Sequence, residues 1–100
     1  MTIMKRLFAV IRTRADDWQD SLPLEQQRAW NAHAQFMDGL HADGFIIVGG
    51  PLEGTPDVLF AVRAESEDEI YGRFAEDPWT ELGLLRSKSV SPWMLRLGSL

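Results

Sequence analysis

A chain of 100 residues is one domain, because domains of ~100–150 residues are the commonest and two would not fit. Its 45% apolar and 25% charged residues, with eight glycines and five prolines, exclude disordered, collagen-like and low-complexity classes. A net charge of −5, no cysteine and only two histidines remove the electrostatic footprint of nucleic-acid or anionic-membrane binding, disulfide and thiolate-metal frameworks, and most metal cages.

The first segment, Lys5 to Arg12, is rich in β-branched and aromatic residues and is expected to be a strand. Leu7, Ala9 and Ile11 share one face of it, and Arg6, Phe8, Val10 and Arg12 share the other. The apolar run from Leu7 to Ile11 is far short of a signal h-region or a ~20-residue membrane span, so a cytoplasmic protein with no membrane partner is expected. Asp16 to Ser21 is polar and forms a loop, with Trp18 its single large apolar residue. Pro23 suits a first helical turn, and the pattern predicts a helix from Leu24 to Leu40 or Ala42. With 100° per residue, Ala29, Trp30, Phe36, Met37 and Leu40 fall within ~60° of His33, which places that histidine mid-stripe on the apolar face.

Asp43-Gly44 ends this helix, glycine being the usual left-handed terminator. Phe45 to Val48 and Val58 to Ala64 are read as two strands of a hairpin with a loose loop, Gly49-Gly50-Pro51 closing the first. Ser66-x-x-Glu69 is a capping box for a second helix, with Ile70 and Phe74 as its apolar stripe. That helix ends before Asp77-Pro78-Trp79, since Pro78 disfavours helical geometry at Asp77. Ser87 to Leu97 is expected to be the last strand, at an edge or bulged because of Pro92. The order β-α-β-β-α-β is the ferredoxin-like α+β arrangement, an antiparallel sheet with two helices on one face. Its strands are apolar on both faces, so the uncovered face is expected to meet a second copy in a homodimer. The acidic stretch from Glu65 to Glu81 reads as a solvated face of that dimer.

Several residues are candidates for chemistry. His33 is either a general acid/base, the side chain that titrates near neutral pH, or a core histidine satisfied by a backbone carbonyl. Asp77 is either a carboxylate that orients an imidazole or the N-cap of a short turn begun by Pro78, and two oxygens allow both. Gly49 and Gly50 let a backbone approach a ligand and offer N–H groups to an oxyanion, or simply mark a strand exit. Trp30, Trp79 and Trp93 are candidate walls of an aromatic pocket, or core. Arg6, Arg12 and Arg63 flank apolar strand positions, and read either as holders of an acidic substrate or as rim salt bridges of a dimer. No phosphate-binding fingerprint and no nucleophile-elbow serine occur, so nucleotide binding and serine chemistry have no support.

Taken together, Trp30-x-x-His33-x-x-Phe36-Met37-x-x-Leu40-x-x-x-Gly44, Gly49-Gly50-Pro51, Asp77-Pro78-Trp79 and Ser91-Pro92-Trp93 resemble the YCII-related (YciI-like) family, over about Met4 to Leu97. The resemblance implies a single-domain dimeric α+β barrel and a His–Asp pair near the first helix, at positions His33 and Asp77. One relative is a dehydrochlorinase of a chlorinated hydroxyhydroquinone. Some relatives carry an arginine three residues before the histidine, where this chain has Trp30.

Two functional readings follow. In the first, the chain is a cofactor-independent lyase, isomerase or dehydrochlorinase-like enzyme acting on a phenolic or enolic small molecule. His33 moves a proton, Asp77 orients it, Gly49, Gly50 and Pro51 approach the substrate, and Trp30, Phe36 and Trp79 wall it. In the second, the same barrel binds a small aromatic metabolite without turning it over, as a sensor or accessory module. A lone axial His33 or His41 holding haem or a metal is a poor fit to a chain with no second ligand cluster.

Overall fold

The computed structural model describes residues 4–100. The alternation in the first segment builds strand β1 (Arg6–Arg14), with Phe8 and Val10 buried on one side. A single 3-10 turn, Leu24–Gln26, precedes helix α1 (Trp30–Ala42). Strands β2 (Ile46–Pro51) and β3 (Asp57–Ala64), helix α2 (Glu67–Ala75), the short helix α3 (Pro78–Glu81) and strand β4 (Leu85–Pro92) follow. Sheet order is β2-β3-β1-β4, every neighbouring pair antiparallel. The chain is therefore a ferredoxin-like α+β fold.

The main core fills the space between one sheet face and the helices. Phe8, Val10, Phe60 and Val62 come from the central strands, Leu40 from α1, and Ile70 and Phe74 from α2. Register locks this face, because Phe8 pairs with Val62 and Val10 with Phe60. A one-residue slip would turn all four outward. On the opposite face Leu7, Ala9 and Ile11 lie beside Arg63, Ala61 and Leu59 of β3. Among the described residues no helix covers that face, but the end of the chain runs back over part of it. The Trp93 backbone N–H donates to the Leu7 carbonyl at 2.9 Å, and the Arg63 guanidinium donates to the Leu100 carbonyl at 2.8 Å. Trp93 shares a shallow groove with Val48, Gly50, Leu59 and Ala61.

Three boundaries depart from the pattern-based expectation. The first helix starts at Trp30, not Leu24. Gln27 is buried, its side-chain amide accepting from the Gln19 N–H and donating to the Gln19 and Leu22 carbonyls, so it clips the loop rather than extending a helix. Ala29 then sits in left-handed geometry (φ 60°), which breaks any helical continuity with Pro23. The β2 strand continues through Gly49, Gly50 and Pro51, which pair with Phe60, Leu59 and Val58. An edge strand tolerates that proline. The last strand runs from Leu85 to Pro92 instead of Ser87 to Leu97, because Leu85 pairs with Arg14 across a register shift and pairing stops at Pro92.

Two terminators act as expected. Gly44 is left-handed (φ 81°) just after α1. The Ser66 hydroxyl accepts from the Glu69 N–H, while the Glu69 carboxylate accepts from Glu65 rather than from Ser66, a capping box displaced by one residue. Within the acidic stretch, Asp77 is not on a solvated face: it is fully buried.

Candidate functional site

The site grows from a second, smaller cluster at the end of the sheet where α1, α3 and β4 meet. Trp79, Leu84 and Leu85 are buried there, with Trp18, Leu24, Trp30 and Leu82 packed around them. Pro78 starts α3, and Asp77 caps it, one carboxylate oxygen (Oδ1) accepting from the Trp79 N–H at 3.0 Å. That cap aims the carboxylate back at α1. His33, 44 residues earlier and near the middle of the α1 apolar stripe, brings Nδ1 to 2.8 Å from the same Oδ1. The cap and the imidazole contact coexist on one residue.

Asp77 is held from a third direction. Arg12, on the core side of β1, donates from Nη1 to Asp77 Oδ2 at 3.1 Å. Its Nη2 donates to the Thr80 hydroxyl at 2.7 Å and to the Leu85 carbonyl at 3.4 Å. The Thr80 hydroxyl passes its own proton to the Phe74 carbonyl at 2.7 Å. Arg12 is 1% exposed, lies 5.0 Å from the centroid of the Phe74 ring, and leaves only Nε without a partner. Burial pushes its guanidinium below the usual arginine range, and the Asp77 charge pulls it back up. So Arg12 is neither a substrate holder nor a dimer-rim charge: it is a core residue that fixes Asp77. Its sequence neighbours gave no sign of this, since its carboxylate lies 65 residues away.

The other two partners of Asp77, Arg12 and the Trp79 N–H, are donors, and a carboxylate that accepts from both assigns the Nδ1–H tautomer to His33. Nε2, which has no protein partner among the described residues, carries the free lone pair. The ring itself stacks on Trp79, centroids 3.7 Å apart and planes 6° from parallel. Trp79 is pinned in turn by its indole N–H, which donates to the Arg28 carbonyl at 2.6 Å. Trp30 leans on both rings, 6.0 Å from His33 and 5.8 Å from Trp79.

His33 opens into a cavity of about 280 Å3, walled by Trp18, Trp30, Met37, Phe60 and Trp79, with Gly49, Gly50 and Pro51 of β2 on the far side and Arg14 also on the wall. Ligand cavities run from ~300 to ~1,000 Å3, so this one suits a single ring rather than a nucleotide. Gly49 lies against Phe60 so closely that a Cβ there would overlap the ring, whereas nothing lies within 4 Å of a Cβ built on Gly50. His33, Asp77, Trp30, Trp79, Gly49, Gly50 and Pro51 are therefore gathered at one place, Asp77 behind the histidine rather than on the cavity wall. Phe36 is not among the lining residues and packs against the main core. Trp93 lies on the opposite sheet face. Trp18 lacked a role in the sequence reading; its one signal was a lone tryptophan in a polar loop, and here it packs T-shaped against Trp79, ring centroids 5.4 Å apart.

His41 is elsewhere, its Nδ1 hydrogen-bonded to the Ile46 carbonyl. Among the described residues no group of three or more His, Asp or Glu side chains gathers where a metal would sit, and no helix is long and apolar enough to cross a membrane.

No family profile matches the chain, and no curated protein matches it. Among solved structures the chain is similar to 5-chloro-2-hydroxyhydroquinone dehydrochlorinase (TftG) from Burkholderia phenoliruptrix AC1100, determined in complex with 2,5-dihydroxybenzoquinone. The TM-score is 0.65 and the sequences are 28% identical, over 88% of this chain and 93% of that one. The chain thus has the fold of a small-molecule enzyme of matching length.

Proposed function

We propose that this chain is a single-domain YciI-like protein that catalyses proton transfer on a one-ring phenolic or enolic compound, without a cofactor, as a lyase or isomerase. The observation that carries the reading is the 2.8 Å contact between His33 Nδ1 and Asp77 Oδ1, which leaves Nε2 free at a cavity of one-ring size. Nε2 takes a proton from a ring hydroxyl or an adjacent carbon, and the ring becomes an enolate. The imidazolium so formed is stabilised by Asp77 and by the face of Trp79. Return of the proton to a different ring atom isomerises the substrate. Where that atom is the carbon bearing a halide, loss of a second hydroxyl proton then expels the halide, completing loss of HCl and leaving a quinone. The backbone N–H of one of the two adjacent glycines, Gly49 or Gly50, points away from β3 on this edge strand and steadies the oxyanion. A chlorinated hydroxyhydroquinone, the compound class named for the structural neighbour, fits this chemistry and this volume.

The open sheet face supports assembly in pairs. Leu7, Ala9, Ile11 and Leu59 form an apolar surface that the chain's own end covers only in part, and a second copy removes the rest from water.

The test is chloride release and product formation from a panel of chlorinated hydroxyhydroquinones, with wild type and His33→Gln. A general base contributes ~10²–10⁴-fold, so kcat should fall by that factor in the variant while KM changes little. Equal turnover by both proteins sinks the assignment of His33. If ring compounds bind to wild type unchanged and His33→Gln only weakens them, the barrel is a binding module in which His33 is a hydrogen-bond anchor.

A further inference from the structure

We infer that Arg14 is the anion-binding residue of this cavity, and that the ligand it selects is a one-ring phenol or enol in its ionised form, such as a hydroxyquinone. The inference rests on the reading of the His33 cavity given above and adds the charge state of what enters it.

Alternation along β1 puts Arg14 on the same sheet face as Arg12, two residues further on. The two arginines line one cavity and differ in what they are committed to. Arg12 is spent on Asp77. Asp57, the cavity's carboxylate, pairs through Oδ2 with Lys88 at 3.1 Å rather than with Arg14, its buried Oδ1 having no partner. Arg14 has no carboxylate within ion-pair distance among the described residues, although the chain as a whole carries five more acids than bases. Arg14 is exposed and lines the cavity, so its guanidinium is open to an entering anion.

Arg14 is also held ready. Its backbone is fixed on both sides, the N–H donating to the Pro56 carbonyl at 3.1 Å and the residue pairing with Leu85 of β4. Its guanidinium lies 4.8 Å from the centroid of the Trp18 ring. That cation–π contact leaves its N–H donors without a side-chain or backbone partner among the described residues and lowers the entropy lost when an anion is bound. A guanidinium does not give up its proton near neutral pH, so it binds an oxyanion without competing with His33 for proton transfer. The cavity therefore has one proton acceptor and one fixed cation on aromatic walls. An ionised ring oxygen pairs with the guanidinium, and a ring that cannot ionise has no charge to offer it.

Isothermal titration calorimetry with two quinones of the same skeleton tests this. 2,5-Dihydroxybenzoquinone is a vinylogous acid, ionised at neutral pH; 2,5-dimethoxybenzoquinone cannot ionise. The chain has no cysteine for either to alkylate. Arg14→Gln should weaken the dihydroxy compound about 10- to 100-fold, the worth of a charge-assisted hydrogen bond, and leave the dimethoxy compound within about 2-fold. Arg14→Lys, which keeps the charge and loses the fork, should fall between. Added salt should weaken only the dihydroxy compound in wild type. An equal effect of Arg14→Gln on both quinones, or no effect on either, overturns the inference while the His33 reading stands. If wild type binds neither quinone, the cavity reading falls and takes this inference with it.

Discussion

Asp77 receives three donors on two oxygens while fully buried, and the consequences of changing any one of them differ in kind. Arg12→Met removes the counter-charge and leaves a buried carboxylate facing only an imidazole and one N–H. Breaking a buried pair from one side costs about 3–5 kcal/mol, so urea unfolding should show a loss of that size. The double variant Arg12→Met/Asp77→Asn should recover much of it, because no charge is then stranded. Additive losses instead would mean that the pair is not coupled. Asp77→Asn alone tests orientation: an amide can present either its oxygen or its nitrogen to His33, so Nδ1 is no longer obliged to carry the proton. Long-range 1H–15N spectra should show the Nδ1–H form in wild type and a mixture in the variant, with His41 unchanged as the control.

At the scale of elements, the site depends on how α1 begins and how β2 is packed. Ala29 holds left-handed geometry directly before α1, which is ~1–2 kcal/mol unfavourable for a residue with a Cβ. Ala29→Gly relieves that strain but frees the unfolded chain, so a net gain of about 0.5–1 kcal/mol is expected in chemical denaturation. The two adjacent glycines of β2 should separate cleanly. Gly49→Ala forces a methyl into Phe60, itself part of both core and cavity wall, and should cost about 1–3 kcal/mol. Gly50→Ala meets nothing and should leave the melting temperature close to wild type. The sequence makes neither distinction, since both are simply glycines before a proline. It also mislaid the start of α1, because Pro23 and Leu24 look like a first helical turn, and the signals against it are a buried Gln27 clip and one backbone angle. The Ser66 cap, the Gly44 terminator and the Pro78 break were readable because each acts within four residues.

For the whole molecule, the order of strands and helices made the ferredoxin-like fold legible, yet the pairing of His33 with Asp77 was legible only through resemblance. His33 and Asp77 are 44 residues apart, and Arg12 is 65 from Asp77; such contacts exist only once β1, α1 and α3 are assembled. Arg14 and Trp18 were passed over for the same reason. The open face carries the remaining expectation at this scale. Sedimentation velocity should give twice the 11.3 kDa chain mass for wild type. Ile11→Asp, on the face away from the helices, should give the single-chain mass with unchanged far-ultraviolet circular dichroism. A wild type that sediments as one chain removes the paired assembly.

The three indoles around His33 have an optical consequence. Trp79 lies 5.4 Å from Trp18 and 5.8 Å from Trp30, with mutual planes at 88° and 43°, close and skewed enough for their transitions to couple. The folded chain should therefore show an exciton couplet in circular dichroism. Trp79→Phe should erase it, and Trp93→Phe, on the far side of the sheet, should not. A ring that slides between these chromophores disturbs the couplet directly, so the protein carries its own dye, able to report an occupant that is bound without being turned over.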